Sequence, residues 1–546
     1  MKQFYSKRRM LTLTLCAILL STFALTVFTL LPGGRPQIVH AGREQASNTE
    51  TRAAASKTKS SIIVSNSPAA AELGRGIDRA IDESDFASAQ WGVYVASLRD
   101  GRVLYARNAD MPLTPASNMK VYTTAAALSL LGADYRWRTS VYAASQPDTN
   151  GTITGDLVLY GRGAPDLTSR AEDGHAASLD QLADALYKRG VRRVSGAVVG
   201  DESYFRGEPL GEGWLWNDVQ WYFGAEVSAL TINGNALTLT ISPSGKIGAP
   251  AGVRINPETD YVHLINDTNT AERGTPSTVG LNRGLSDNEV HVWGDFPAGG
   301  RGFNARLSVH RPAMWAAMLF RDALKARGIA VEGEARARDA RSTREETFNP
   351  QRAVELASAT SKSLGEIVHE TNKESLNLEA ELLLRTLGKE RGATAPDPDP
   401  HKMRGDDQAG VAVMRQWLQQ SSVPTDSLSL FDGSGLSRLD LVTTETTARL
   451  LALMAQSASA QIFRDSLPVS GRDGTLASRL RTATGRINAK TGTLTHINSL
   501  SGYVTTADNE TLVFSIICNN ETSDNSSTGT IDSIAALLAS FRAQVR

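Results

Sequence analysis

The chain has 546 residues, of which 41% are hydrophobic and 21% are charged, an ordinary composition for a soluble globular protein. This length predicts about two to four domains. The formal net charge of −1 excludes a generally basic surface, so we expect no nucleic-acid partner. Only two cysteines occur, Cys16 in an N-terminal apolar run and Cys518 in an apolar, strand-like segment, so we expect them not to meet and to form no structural disulfide. A chain this long can bury an adequate core without one.

The N-terminus has the pattern of an export segment. Four cations between Lys2 and Arg9 precede an uncharged, mostly apolar run at 10–31. A bilayer is spanned by about 20 such residues, so the run also suits a membrane anchor. We predict a signal peptide or membrane anchor at 1–41, with the rest of the chain periplasmic, otherwise extracytoplasmic, or anchored to the inner membrane. Residues 42–72 are rich in Ala, Ser, Thr and Lys and predict a disordered linker.

A first segment of a catalytic domain is predicted at 73–144. Two strands, at 91–98 and 102–107, flank an Asp-Gly turn and predict a hairpin, and 114–132 predicts a helix. Ser117 and Lys120 lie three residues apart in that helix and share one face. The positive end of the helix dipole disfavours the lysine cation, which helps Lys120 to accept a proton from Ser117. The alternative is that Ser117 is only a helix cap.

An insertion is predicted at 145–344. It has short β-branched runs, two helices near 179–189 and 312–327, and a nested β-rich module at about 215–304. A second catalytic segment is predicted at 345–546, with helices at 364–388, 443–454 and 531–545 and antiparallel strands at 502–504 and 512–518.

Ser375-Leu376-Asn377 falls inside the predicted helix at 364–388, from which a hydroxyl and an amide can project toward the Ser117 helix. Two other stretches have the spelling Ser-Asp-Asn. One begins at Ser286 in a turn of the insertion, and the other begins at Ser523, after the third motif. An ordinary polar helix face is the alternative for Ser375.

The third motif, Lys490-Thr491-Gly492-Thr493, occurs once and predicts a strand beside the catalytic helix. Glycine lets a substrate backbone approach, threonine hydroxyls can bind a carboxylate, and lysine supplies positive charge. A basic residue on an edge strand is the alternative. The chain has no G-x-S-x-G, no H-E-x-x-H and no paired C-x-x-C, so we expect no metal and no cofactor.

The order S-x-x-K, S-x-N, K-T-G is typical of penicillin-binding proteins and class A β-lactamases. With its long insertion, the chain resembles the class C low-molecular-mass penicillin-binding proteins, the D-alanyl-D-alanine carboxypeptidase/endopeptidase family typified by penicillin-binding protein four. Further stretches carry the resemblance: GDLVLYGRGAPDLT at 155–168, ALTINGN at 229–235, DGSGLSR at 432–438, PVSGRDGTL at 468–476, and AKTGTL with SLSGY at 489–503. The resemblance implies an α+β fold. Its transpeptidase domain, of the penicillin-binding and serine β-lactamase type, combines a helical cluster with an antiparallel sheet and carries a large β-rich α+β insertion between the first two motifs.

The resemblance also implies a reaction. Ser117 attacks the carbonyl of a D-Ala peptide bond and Lys120 takes its proton. Ser375 relays a proton to the leaving amine with the aid of Lys490, and Asn377 holds the substrate amide.

Binding roles are implied as well. Thr491 and Thr493 face the terminal carboxylate, and the backbone N–H groups of Ser117 and Thr493 form the oxyanion hole. Asp201, in VVGDESYF, resembles an acidic position that faces the amino group of a substrate side chain, and a solvated turn aspartate is its alternative. Leu376 stands where the family usually has Asp.

The implied partners are peptidoglycan stem peptides and β-lactams, and penicillin is expected to inhibit the enzyme. Two other functions remain open at this point. One is a β-lactamase or esterase on the same scaffold, although β-lactamases lack such an insertion. The other is a non-catalytic wall-binding protein in which the insertion is the binding module.

Overall fold

A computed structural model of the chain describes residues 62–169, 178–341, 347–392, 405–522 and 525–543. The predicted export segment at 1–41, most of the linker at 42–72, and Ser523 lie outside these residues. The predicted disorder does not extend to residue 72, because a helix begins at Pro68. Within the described ranges, every helix is too short or too polar to cross a lipid bilayer.

The regular elements are numbered here in chain order. The helices are α1 (Pro68–Asp82), α2 (Met119–Leu131), α3 (Ser178–Lys188), α4 (Pro312–Ala326), α5 (Leu364–Glu374), α6 (Asn377–Arg391), α7 (Asp406–Gln420), α8 (Thr444–Met454), α9 (Ala460–Ser466) and α10 (Thr528–Ser540). The strands are β1 (Gln90–Ser97), β2 (Val103–Arg107), β3 (Arg138–Ala143), β4 (Thr152–Ile153), β5 (Leu157–Tyr160), β6 (Arg193–Val194), β7 (Val198–Asp201), β8 (Ala236–Ser242), β9 (Gly252–Asn256), β10 (His263–Ala271), β11 (Gly280–Arg283), β12 (Glu289–Pro297), β13 (Phe303–Ser308), β14 (Ala330–Val331), β15 (Ala335–Arg338), β16 (Val354–Thr360), β17 (Ile487–Leu494), β18 (Ile497–Thr505) and β19 (Thr511–Asn519).

A five-stranded antiparallel sheet of order β17-β18-β19-β1-β2 brings the two catalytic segments together. Side chains alternate between its faces because successive residues of a strand point in opposite directions. Val93 and Val95 join the core formed with α1 and α10, whereas Tyr94 and Ala96 join the core formed with the helical cluster. The predicted hairpin of β1 and β2 and the predicted pairing of β18 and β19 are confirmed.

Helix α2 lies at the centre of the helical cluster. Its residues from Met119 to Leu128 are all buried, including the polar side chains of Lys120, Thr123 and Thr124. Helices α5, α6, α7 and α8 supply much of the surrounding core. This burial gives the start of α2, where the first motif lies, a rigid support.

The single helix predicted at 364–388 is wrong. Helix α5 ends at Glu374. The next residue, Ser375, has a left-handed backbone (φ 59°, ψ 43°), and α6 begins after the extended residue Leu376. A left-handed serine is uncommon and interrupts the helical hydrogen bonds. The second motif is therefore a turn between two helices.

The part of the chain between the first two motifs builds a second five-stranded sheet, of order β15-β7-β5-β3-β16, with parallel and antiparallel pairs. Helices α3 and α4 share its core. Two three-stranded sheets, β13-β8-β9 and β10-β12-β11, follow within it. Strands β3 and β16 lie just outside the predicted bounds of 145 and 344, and these bounds, like the nested module at 215–304, stay predictions.

Candidate active site

Ser117 lies in a short 3₁₀ turn, Ala116–Asn118, that leads into α2. The predicted helix at 114–132 is therefore confirmed only from Met119 onward. The turn is held against a loop of the second catalytic segment, where Gly435 has a φ of 79° and a side-chain Cβ would lie 2.8 Å from the Cβ of Met119. Only glycine combines that backbone conformation with this close approach.

Lys120 is completely buried one turn into the same structure. Its Nζ atom lies 2.9 Å from Ser117 Oγ, 2.6 Å from Asn377 Oδ1 and 2.8 Å from the carbonyl oxygen of Ser434. The first and second motifs therefore meet at one amine.

Burial lowers the pKa of Lys120 to about 8, although the nearby carboxyl groups of Asp432, Glu381 and Glu379 oppose this shift. The direction of this shift is as predicted, but the predicted cause was the helix dipole. The principal cause is desolvation of the ammonium. A lysine with this pKa is partly neutral near physiological pH and can act as a base.

Ser375 and Lys490 form a second pair. Lys490 Nζ donates to Ser375 Oγ at 2.9 Å and to its own neighbour's carbonyl, Thr491 O, at 3.0 Å. Burial, together with the charge of Lys120, holds the pKa of Lys490 well below its usual range. The third motif therefore contacts the second.

The third motif lies on β17, the edge strand of the catalytic sheet. A Cβ at Gly492 would lie 2.7 Å from Pro115 O and 3.0 Å from Ser117 N, so only glycine lets β17 approach the Ser117 turn this closely. Thr491 is buried and its hydroxyl lies 2.7 Å from that of Thr475, whereas Thr493 is exposed. The structure thus brings all three motifs around Ser117.

Residues 212–223 of the insertion contact the residues around Lys120 and the loop that carries Ser434, a contact that was not predicted from the sequence. Asn377 Nδ2 donates to Phe223 O at 2.8 Å, and Trp214 Nε1 donates to Asp432 Oδ2 at 2.9 Å. Ser437 Oγ donates to Glu212 O at 2.6 Å. In two of these contacts the acceptor is a backbone carbonyl, which every residue type has, so the sequence does not predict them.

Asp201 is not brought to these side chains. It is fully buried at the end of β7, where it accepts hydrogen bonds from Ser203 Oγ at 2.6 Å and from Arg338 at 3.2 Å. Burial raises the pKa of Asp201 despite these partners. The segment that borders the site carries two carboxylates, the exposed Glu212 and the half-buried Asp218. The pKa of Asp218 is raised by desolvation, while the charge of Arg438 opposes the rise.

Ser286 does not compete for the second motif. Its neighbour Asn288 exchanges hydrogen bonds with the backbone of His310 inside the insertion, at 2.7 and 3.1 Å. Among the described residues, no group of three or more His, Cys, Asp or Glu side chains is arranged to hold a metal ion.

Comparison with known proteins decides the family. The profile of the D-Ala-D-Ala carboxypeptidase 3 (S13) family matches residues 73–541. The chain belongs to this family. The predicted family and fold class are confirmed, and this D-alanyl-D-alanine carboxypeptidase is a peptidase that acts on peptidoglycan peptides, outside the cytoplasm.

Relatives agree with this assignment. The D-alanyl-D-alanine carboxypeptidase of an Actinomadura species is 35% identical over 483 residues, which cover 86% of this chain and 85% of the relative. D-alanyl-D-alanine carboxypeptidase DacB of Haemophilus influenzae is 25% identical over 429 residues, covering 78% of this chain and 84% of the relative.

Among solved structures, penicillin-binding protein 4 of Haemophilus influenzae has the same fold, with a TM-score of 0.72 at 22% identity. The match covers 86% of this chain and 97% of that protein. The same protein has also been solved in complex with a β-lactam, with a TM-score of 0.66, 20% identity, and coverage of 86% of this chain and 97% of that chain.

Proposed function

We propose that the enzyme cleaves D-alanyl peptide bonds of peptidoglycan through an acyl-enzyme on Ser117, and that β-lactams block it by acylating the same hydroxyl. The observation that carries this proposal is the 2.9 Å contact between Lys120 Nζ and Ser117 Oγ. A hydroxyl is a weak nucleophile unless an adjacent base removes its proton, and Lys120 is buried and partly neutral.

The proton follows a short path in the proposed reaction. Neutral Lys120 takes the proton of Ser117 while Oγ forms its bond to the carbonyl carbon. The C–N bond then breaks as the hydroxyl of Ser375, held by its hydrogen bond from Lys490, gives a proton to the leaving amine. The proton that Lys120 took from Ser117 replaces it on Ser375, so Lys120 is neutral again. Water finally attacks the ester and gives a proton to Lys120, which passes it to the oxygen of Ser117 as the shortened peptide leaves.

The edge strand β17 suits the peptide's C-terminus. Thr491 and Thr493 would bind the terminal carboxylate, and the backbone N–H groups of Ser117 and Thr493 would stabilise the oxyanion. Asn377 holds the substrate amide. A carboxylate for a cationic substrate side chain would come from Asp218 on the bordering segment, since Asp201 is occupied within the insertion.

Two finer points belong to the same proposal. The residues at 1–41 export the chain as a cleaved signal or hold it at the inner membrane, which gives it access to the wall. The reaction also splits cross-links, because the bond in a cross-linked dimer likewise follows a D-Ala carbonyl.

The test is incubation with fluorescent penicillin and, separately, with purified monomeric and cross-linked muropeptides. We expect one covalent penicillin per chain, loss of one D-alanine from monomers and splitting of dimers. Ser117→Ala should abolish all three results, and Ser129→Ala, at an exposed position of α2, should change none. A fully active Ser117→Ala variant, or rapid multiple turnover of penicillin, would overturn the proposal.

A further inference from the structure

The partners of Lys120 restrict how its amine is oriented. A neutral amine has two N–H bonds and one lone pair. Asn377 Oδ1 and Ser434 O have no hydrogen to donate, so they take the two N–H bonds. The lone pair is then left for the hydroxyl hydrogen of Ser117. The direction of proton transfer therefore depends on the Ser434 carbonyl as much as on the Asn377 amide.

The Ser434 carbonyl is held in place by a buried carboxyl group. Glu381 Oε1 accepts the backbone N–H of Gly433 at 3.0 Å and that of Ser434 at 2.8 Å. These two bonds fix the two peptide groups that precede the Ser434 carbonyl. The peptide group that contains the carbonyl is fixed in turn by Asp432, whose Oδ1 accepts the backbone N–H of Gly435 at 2.7 Å. Glu381 is only 2% exposed, and a carboxyl group is buried this deeply at a cost unless its hydrogen bonds repay it.

Helix α6 carries both supports of the amine. Asn377 and Glu381 are four residues apart, so their side chains lie on the same face of the helix, one turn from each other. Asn377 contacts Lys120 directly, whereas Glu381 binds the turn whose Ser434 carbonyl contacts Lys120. One rigid element thus sets two of the three atoms around Nζ.

We propose that Glu381 is a positioning residue of the reaction: it holds the Ser434 carbonyl where that carbonyl keeps the lone pair of Lys120 directed at Ser117. The proposal deepens the function proposed above and rests on it.

Glu381 also has an electrostatic effect on Lys120. The charge of Glu381 interacts with four neighbouring groups: Lys120 of α2, Arg385 of α6, and Asp432 and Asp440 of the loop after α7. Burial, with the charge of Asp432, raises the pKa of Glu381. When Glu381 is ionised, its charge favours the protonated form of Lys120. Removing that ionisation should let Lys120 become neutral at a lower pH.

The experiment measures the second-order rate of acylation by penicillin from pH 5 to pH 10. Glu381→Gln keeps an oxygen that can accept both N–H groups but cannot ionise, and Glu381→Ala removes the acceptor. At pH 7 we expect the rate of Glu381→Ala to fall about 100-fold and that of Glu381→Gln to stay within about threefold of the wild type. The acid limb of the Glu381→Gln profile should move to lower pH. Glu390→Gln, in the last turn of α6, is the matched control.

Equal losses in both Glu381 variants, or wild-type rates and profiles in both, would overturn the role of Glu381. If thermal unfolding shows that Glu381→Ala does not fold, the Glu381→Gln profile decides, and an unshifted acid limb would count against the proposal. Ser117→Ala, tested in parallel, separates the two proposals. An adduct on that variant refutes the proposed function itself, whereas its absence beside unaffected Glu381 variants refutes only the positioning role.

Discussion

The buried amine of Lys120 makes acylation depend on pH in a defined direction. Its pKa is lowered to about 8, and only its neutral form accepts the proton of Ser117. The acylation rate should therefore rise as the pH passes upward through about 8 and level off above it. Stopped-flow measurement of penicillin acylation checks this profile.

Lys120→Arg is the companion variant, because a guanidinium keeps its proton at every accessible pH. We expect adduct formation to fall about 100- to 10,000-fold, the usual contribution of a positioned base. A Lys120→Arg enzyme with the wild-type rate would exclude Lys120 as the base.

Gly492 fixes the distance between the third motif and the nucleophile. In Gly492→Ala the new Cβ would lie 2.7 Å from Pro115 O and 3.0 Å from Ser117 N, both backbone atoms that move little. We expect a loss of about 1–3 kcal/mol in the free energy of unfolding and a marked fall in acylation.

Urea unfolding and a penicillin-binding assay measure both effects of Gly492→Ala. Gly529→Ala is the matched control, since a Cβ there meets nothing within 4 Å. It should leave acylation unchanged. Wild-type stability and acylation in Gly492→Ala would show that the strand can move away without loss.

At the scale of elements, the sequence pattern predicted the strands of the catalytic sheet and helices α2, α3, α4, α8 and α10, but it did not predict α1, α7 and α9. It missed the break between α5 and α6. The stretch Ser375-Leu376-Asn377 has neither glycine nor proline, and its left-handed residue is stabilised by tertiary contacts such as the one from Lys490. A local pattern cannot report a conformation that distant residues stabilise.

The end of α5 is held to the loop before β17 by a buried cation. Lys373, two residues before Ser375, donates to Asp473 Oδ1 and to Leu467 O, both at 2.7 Å. Asp473→Ala leaves the lysine with one partner, so we expect a loss of about 1–2 kcal/mol in the free energy of unfolding. Acylation should also slow, because Ser375 loses its support.

Glu370→Ala on the same helix is the control for Asp473→Ala. It breaks an ion pair with Lys362 in which both side chains are largely exposed, and such pairs contribute about 0–1 kcal/mol. Urea unfolding of both variants gives the comparison. Equal, small effects would mean that the buried pair does not hold α5.

At the scale of the whole molecule, the order of the three motifs predicted that distant segments meet, but not that the insertion meets them too. Phe223 contributes its carbonyl oxygen, and any residue type has one. Asp201 was predicted from the resemblance of the residues around it, VVGDESYF. In the structure it lies at the end of β7 and is hydrogen-bonded within the insertion. A sequence motif identifies side chains that take part in the reaction. It does not predict how one segment packs on another, because packing depends on the shapes of both surfaces.

Trp214 gives a direct test of how the insertion is coupled to the catalytic domain. Its indole N–H donates to Asp432, a buried carboxyl that also accepts the backbone N–H groups of Gly435 and Ser437, each at 2.7 Å. Trp214→Phe keeps most of the ring and deletes the donor. Because Asp432 would then be less well solvated, we expect the free energy of unfolding to fall by about 1–3 kcal/mol.

Trp216→Phe, two residues away, is the matched control because that side chain is 71% exposed, and its effect should stay within about 0.5 kcal/mol. Acylation by penicillin should slow in Trp214→Phe alone, since Asp432 shapes the turn that carries the Ser434 carbonyl. Equal stabilities and equal rates in the two variants would show that the insertion is attached to the catalytic domain without being coupled to the nucleophile.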